Sequence, residues 1–253
     1  MKIAAAQLRP TPGDIEKNIH AHVRLIEQAA ALHANLVYFP ELSLTGYEPT
    51  LAKSLAMDSA DTRLDVFQRL ANELDIIIGV GLPLAHGDKV RIGMVWLRPE
   101  LPRSVYAKQC LHDDELPFFV QGEMQLVIEA CGRKLAPAIC YESLQHDHAG
   151  NAAGLGADVY LASVAKPARA LDKAVRHYPE VAKRHNMAVI MADCIGPSDN
   201  FISVGQSAVW DTDGNLLAQM DQESEGLVTI DLESMHAATH VIDAREFRHA
   251  NGQ

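Results

Sequence analysis

Three ionisable residues stand where strand-like apolar runs end. Asn35-Leu36-Val37-Tyr38-Phe39-Pro40 runs into Glu41, Ser104-Val105-Tyr106-Ala107 into Lys108, and Leu135-Ala136-Pro137-Ala138-Ile139 into Cys140. In open α/β folds, ligands bind just beyond the carboxyl ends of strands. Three strands can therefore deliver a carboxylate, an ammonium and a thiol to one place, which is equipment for covalent chemistry on a carbonyl-like carbon. A cysteine thiol has an intrinsic pKa near ~8.5, so at neutral pH a base must take its proton. Glu41, desolvated at a strand end, suits that role because desolvation raises a carboxyl pKa. Attack on an amide or nitrile builds negative charge on oxygen or nitrogen. Lys108 and the backbone N–H of Tyr141 are placed to stabilise it. Expulsion of ammonia or an amine leaves a thioester, which water activated by the same glutamate would hydrolyse.

Each residue has a plainer reading in isolation. A lone cysteine closing an apolar strand is usually a packing residue, and Glu41 or Lys108 alone could begin a solvated loop. The set outweighs its members. Cys110, Cys131 and Cys194 read as packing residues, and the four cysteines contain no CxxC pair, which fits a reducing compartment rather than a disulfide framework or a zinc site. His146-Asp147-His148 lacks the spacing of a metal site and reads as the start of a surface helix.

Elements that would position these groups alternate along the chain. Met1 to Leu8 reads as a first strand, and Asp14 as the cap of a helix reaching about Ala34, with Ile15, Ile19, Val23 and Ile26 on one face. A second helix fits Thr62 to Leu74. His86-Gly87-Asp88 predicts a hairpin turn, and Val90 to Leu97 and Ser104 to Lys108 read as adjacent strands. Gln125 to Ala130 pairs naturally with Arg133 to Cys140. A helix near Asp147 to Gly156, a strand from Asp158 to Ala162, a long helix from Ala168 to Asn186 and a strand from Met187 to Asp193 follow. Gly205 to Trp210, Leu216 to Met220 and Leu227 to Ile230 close the pattern. The whole reads as one domain, 1–253, with a core over about 1–232 and a polar tail over 233–253.

Composition narrows the class. The 253 residues are ample for a substantial core, and 48% hydrophobic with 22% charged residues is ordinary for a globular protein. A formal net charge of −11, without a Lys/Arg-rich run, argues against nucleic acid or an anionic membrane as partner. No stretch approaches the roughly 20 apolar residues that span a bilayer. The expected setting is cytoplasmic.

The residues also carry a family resemblance. Phe39-Pro40-Glu41-Leu42-Ser43-Leu44-Thr45-Gly46-Tyr47 resembles the glutamate motif of the nitrilase, or carbon–nitrogen hydrolase, superfamily. Tyr106-Ala107-Lys108 followed by Leu111 resembles its lysine motif, and Ala138-Ile139-Cys140-Tyr141-Glu142 its cysteine motif. Gly205 to Asp211 with Asp213-Gly214 resembles its closing hairpin. The resemblance implies an α/β fold, a four-layer α-β-β-α sandwich of two mixed sheets flanked by helices, paired into a homodimer or higher oligomer through the outer helices. It implies a Glu41, Lys108, Cys140 triad, and a second glutamate, best matched by Glu115, that holds the lysine. No metal or organic cofactor is expected. Tyr47 and Tyr141 are candidate pocket residues. The most direct activity is hydrolysis of a small linear amide. N-carbamoyl amide hydrolysis and nitrile hydrolysis use the same triad, and a non-catalytic binding protein is a further alternative. The chain departs from the family at Glu142 to His146, at Ser163-Val164-Ala165-Lys166 and at Ala192 to Gly196. Lys166 falls where it could meet a substrate carboxylate.

Overall fold

Alternation along the strands sorts side chains to two faces. In β1 (Lys2–Gln7), Ile3 and Ala5 face one hydrophobic layer and Ala4 and Ala6 another. The same rule operates throughout this computed structural model, which describes residues 1–242. After β1 come α1 (Ile15–Ala31), β2 (Leu36–Tyr38), the short α2 (Ala52–Leu55), α3 (Asp65–Leu74), β3 (Ile77–His86), β4 (Lys89–Leu97) and β5 (Ser104–Ala107). The second half holds β6 (Ile128–Ala130), β7 (Arg133–Ile139), α4 (His146–Gly154), β8 (Val159–Val164), α5 (Ala168–His185), β9 (Ala188–Asp193), β10 (Ile195–Ser198), β11 (Phe201–Val204), β12 (Ala208–Trp210), β13 (Leu216–Gln219), β14 (Gly226–Asp231) and β15 (His236–Val241).

Seven strands form one mixed sheet in the order β15-β14-β1-β2-β3-β4-β5, and six form a second in the order β13-β12-β9-β8-β7-β6. Both are parallel at the centre, β1-β2-β3 and β7-β8-β9, and antiparallel towards the edges. Three apolar layers hold them. Leu36, Tyr38 and Trp96 of the first sheet meet Leu135, Leu161 and Ile190 of the second. Outside the first sheet, Leu25 and Ile26 of α1 and Phe67 of α3 pack on Val37 and Ile78. Outside the second, Ala149 of α4 and Leu171, Tyr178 and Val181 of α5 pack on Tyr160 and Val189. This is the expected four-layer α-β-β-α sandwich. Tyr38 crosses its central layer, donating its hydroxyl to the carbonyl of Ile190 at 2.7 Å.

The order of elements follows the sequence reading, with four corrections. The first helix, expected to reach about Ala34, ends at Ala31, because His33 takes a positive φ and turns the chain. Strand β7 ends at Ile139, so Cys140 opens a short 3-10 turn instead of closing the strand. A small hairpin, β10-β11, lies between β9 and β12 where no strand was expected. The core also continues past Leu232. His236–Val241 pairs with β14 from Asp231↔His236 to Gly226↔Val241 and forms the sheet edge. Its polar and small side chains hide it in the sequence, because an edge strand buries little. The remaining tail, with His249, lies outside the described residues.

The chain after β2 is anchored to α1. Asn18 donates its amide N–H to the Leu44 carbonyl, and His22 links the Asn18 carbonyl at 2.6 Å to Ser43 Oγ at 2.9 Å. The carbonyl can only accept, so Nδ1 carries a proton, and in the neutral ring Nε2 accepts from Ser43. Burial lowers the His22 pKa to about 4. Unfolding releases the ring to an ordinary value near ~6.5, so the unfolded chain binds a proton that the folded one refuses. This contribution is complete above about pH 6.5 and is lost as pH falls towards 4, on the order of 3 kcal/mol. His148, also lowered to about 4 by burial, acts in the same direction. Urea unfolding across this window should show stability falling with acid. His22→Asn should start less stable and show a shallower fall, and an unchanged slope would remove His22 from the titration.

Candidate active site

Glu41, Lys108 and Cys140 come from two sheets that face each other. Glu41 follows β2, Lys108 follows β5 and Cys140 follows β7. Gly81 of β3 lets the chain carrying Glu41 lie close, since a Cβ there would overlap the Pro40 carbonyl and crowd the Leu42 nitrogen. The Lys108 backbone is fixed on both sides, its N–H donating to the Ile92 carbonyl at 2.9 Å and its carbonyl accepting from Gly122 at 2.7 Å. Cys140 has a φ of 47°. That left-handed conformation is uncommon for a residue with a Cβ and stores strain where it occurs. It turns the chain sharply between β7 and the 3-10 turn.

The charged side chains meet in the interior. Lys108 Nζ lies 2.7 Å from Glu41 Oε1 and 2.6 Å from Glu115 Oε1, and all three side chains are buried. Glu115 has further partners: Tyr47 donates its hydroxyl to Oε1 at 3.0 Å, and the His112 N–H donates to Oε2 at 2.7 Å. The second oxygen of Glu41 has no hydrogen-bond partner within the described residues. Burial raises the Glu41 pKa, Lys108 opposes that, and Glu115 adds to it. Burial alone would lower Lys108, but Glu41, Cys140 and Glu115 outweigh it and hold the ammonium charged. The thiol of Cys140 is pushed up to about 12, first by burial and then by Glu41, with Lys166 and Lys108 pulling it down. The thiol therefore keeps its proton at neutral pH, beside a carboxyl that burial raises and Lys108 holds down.

Cys140 opens onto a cavity of about 240 Å³ whose walls include Tyr47, Glu115, Tyr141, Lys166 and Phe201. Tyr47 is buried, while Tyr141 is 37% exposed and stands at the mouth with its ring edge against His112. The six expected site residues thus adjoin one place. Glu41 and Lys108 lie behind it, Glu115 bridges to the wall, and the tyrosines line it. Phe201, against Tyr47 at 5.5 Å between ring centroids, comes from the unexpected β10-β11 hairpin.

Two positions gain a clear role only in three dimensions. Glu142 is fully buried and accepts from the Tyr106 hydroxyl at 2.6 Å, Ile139 N–H at 2.7 Å, Gln109 N–H at 2.6 Å and Cys110 N–H at 3.2 Å. It ties the loop after Lys108 to the turn that carries Cys140. Burial pushes its carboxyl up to about 7, against the pull of those hydrogen bonds. Beside it His148 joins Tyr106 at 2.8 Å and Tyr160 at 2.7 Å, so the segment expected as a surface helix start places one histidine in the core. Lys166 lies just beyond β8, buried, with Nζ 3.8 Å from Cys140 Sγ. In the sequence Glu142 closes the cysteine motif and Lys166 falls where it could meet a substrate carboxylate, both in segments that depart from the family pattern.

A carboxylate, an ammonium and a thiol beyond the ends of strands from two facing sheets thus adjoin one cavity in an α-β-β-α sandwich. The chain belongs to the carbon–nitrogen hydrolase family, which it matches over residues 2–240. Among solved structures it is similar to an amidase from Nesterenkonia sp. AN1, in a variant carrying acrylamide added at the active site cysteine. The TM-score is 0.84 at 24% identity, over 92% of this chain and 93% of that one, a likeness that establishes the fold. A nitrilase of Pyrococcus abyssi is 26% identical over 92% of this chain and 90% of its own length. A glutamine-dependent NAD(+) synthetase of Aquifex aeolicus is 26% identical over 92% of this chain but only 42% of its own length. The chain therefore spans less than half of the synthetases it matches. Among the described residues no helix is long and apolar enough to cross a membrane.

Proposed function

We propose that this protein hydrolyses a small linear amide to a carboxylate and ammonia through a thioester on Cys140. The observation that carries the reading is the buried contact of Lys108 with Glu41 and Glu115, at 2.7 and 2.6 Å, behind a thiol that opens onto a small cavity. Glu41 accepts the thiol proton on its unpartnered oxygen. The sulfur bonds to the carbonyl carbon, and the displaced electron pair becomes an oxyanion. Lys108 and the Tyr141 N–H stabilise that charge. Protonated Glu41 returns its proton to the leaving nitrogen as ammonia departs. Water then adds to the thioester with Glu41 as base, and the thiol is regenerated with the acid product. Glu115, held by Tyr47 and the His112 N–H, keeps Lys108 oriented. Tyr47 and Tyr141 frame the substrate.

The volume of about 240 Å³ suits a short acyl group, below the range of drug-sized pockets. N-carbamoyl amides and nitriles remain the alternatives for the same triad. The synthetase relatives, glutamine-dependent by name, add glutamine as a candidate donor of the amide. The expected setting is cytoplasmic, as one domain that pairs through its outer helices.

Intact-protein mass spectrometry after exposure to amides (glutamine included), carbamoyl compounds and nitriles tests the assignment. An acyl mass mapped to Cys140, with ammonia released in proportion to acid, is expected for one class. Turnover with no Cys140 adduct under rapid quench in any class would overturn the covalent route.

A further inference from the structure

Lys108 is the cation the sequence assigns to the reaction, yet its ammonium is already shared between two carboxylates at 2.7 and 2.6 Å. The sulfur has another cation beside it. Lys166 is 2% exposed, and Cys140 Sγ, at 3.8 Å, is the one hydrogen-bond partner of its ammonium among the described residues. We propose that Lys166 is a catalytic residue, the cation that stabilises the Cys140 sulfur as its proton leaves, while Lys108 serves the carboxylates. The assignment rests on the covalent route above and adds a group to it.

The charges around the pair favour this division. Facing Cys140 are Glu41 beyond β2, Lys108 beyond β5, Glu115 and Lys166. Facing Lys166 are Cys140, Glu41, Tyr178 and His177 of α5, and Asp193 at the end of β9. Tyr178 is neutral, its hydroxyl engaged with Ser143 Oγ at 2.7 Å. His177 is lowered to about 4, first by burial, and is also neutral at pH 7. Asp193 accepts the Lys166 backbone N–H at 3.0 Å, but its other oxygen has no partner, and burial raises its carboxyl well above the usual range. Lys166 opposes that rise, but Asp193 meets the lysine through its backbone N–H and not through the ammonium, whose hydrogen-bond partner is the sulfur. Both lysines pull the thiol pKa down, and Lys166 is the one within hydrogen-bond distance of the sulfur.

The step conserves charge. The S–H bond breaks, its proton passes to the Glu41 carboxylate, and the sulfur keeps the electron pair. Negative charge moves from a carboxylate beside Lys108 to a sulfur beside Lys166. When the C–S bond forms, the charge passes to the carbonyl oxygen, where Lys108 and the Tyr141 N–H take it up. Without Lys166 the negative charge would leave a carboxylate paired with Lys108 for a sulfur that has no cation within hydrogen-bond distance among the described residues.

Alkylation of Cys140 by iodoacetamide reads this step without any substrate. Peptide-resolved mass spectrometry separates Cys140 from Cys110 and Cys131. In Lys166→Met and Lys166→Gln the Cys140 rate at neutral pH should fall by roughly 10²-fold, and the pH profile should move upward. An unchanged rate and profile in folded variants would overturn the proposal. Folding is read in the same experiment, because an unfolded chain would alkylate Cys140 as fast as exposed Cys131. Alkylation needs no turnover, so its failure is distinct from failure of the amidase reading, which the acyl-adduct experiment measures.

Discussion

Cys140→Ala is expected to abolish turnover, lowering kcat by roughly 10⁴-fold or more, while the protein stays folded and still binds substrate. The thiol is the one group at the cavity whose sulfur can carry the acyl chain between the two half-reactions. Its neighbours remain intact without it. Glu41, Lys108 and Glu115 keep their contacts, which do not involve the sulfur. The alanine also relieves one buried polar atom, so the unfolding midpoint should move little. Steady-state assays alongside thermal unfolding check both halves. Substantial turnover by the alanine variant would end the covalent route, whatever the substrate. The Cys140→Ser variant should also fail, because a hydroxyl yields its proton far less readily than a thiol to the same carboxylate.

Lys108→Met is expected to damage both stability and activity. Methionine nearly matches the lysine in length, so packing is kept while the charge goes. Two buried carboxylates then face each other with their bridging cation removed. Breaking a buried ion pair by deleting one partner costs about 3–5 kcal/mol. The deficit should depend on pH in a defined direction. Glu41 is already raised by burial and by Glu115, and loss of Lys108 removes what opposes that. A carboxyl raised in the folded state holds a proton that the unfolded chain releases. Stability therefore falls as pH rises from the unfolded value near ~4.3 through the folded one. Urea unfolding should accordingly show a larger gap between Lys108→Met and the native protein at pH 7 than at mildly acidic pH. A gap independent of pH would mean that the carboxylates are not what the lysine holds in place. The assay should show kcat reduced by roughly 10³-fold, because Glu41 becomes protonated and no longer accepts the thiol proton.

Both predictions concern residues readable in the chain. Glu41, Lys108 and Cys140 end apolar runs, and the period of a buried strand is local information. The alternating order of strands and helices is local too, as is the Asp14 cap, whose carboxylate accepts the Lys17 N–H at 3.1 Å. The ordered motifs then implied which sheets would meet. The β10-β11 hairpin was not legible, because Gly196, Pro197 and Ser198 carry no strand signal. The edge strand β15 was not either, since its small and polar side chains show no buried face. Both matter, one because it places Phe201 against the cavity and the other because it completes a sheet.

The sequence by itself singled out the three candidate groups, because strand patterning is a property of neighbouring residues, and the resemblance carried by its ordered motifs implied the sandwich. Tertiary structure decided what each charge faces. The resemblance picked out Glu115 from an acidic run, and it is buried because Lys108, Tyr47 and the His112 N–H converge on it. Glu142 follows the cysteine by two residues, and its burial depends on donors from β5, β7 and the loop between them. Lys166 is one lysine among 22 Lys and Arg residues until β8 sets it beside the sulfur. A buried charge survives only where distant segments supply its partners, and those partners are fixed by how the sheets pack, not by the residues on either side of it.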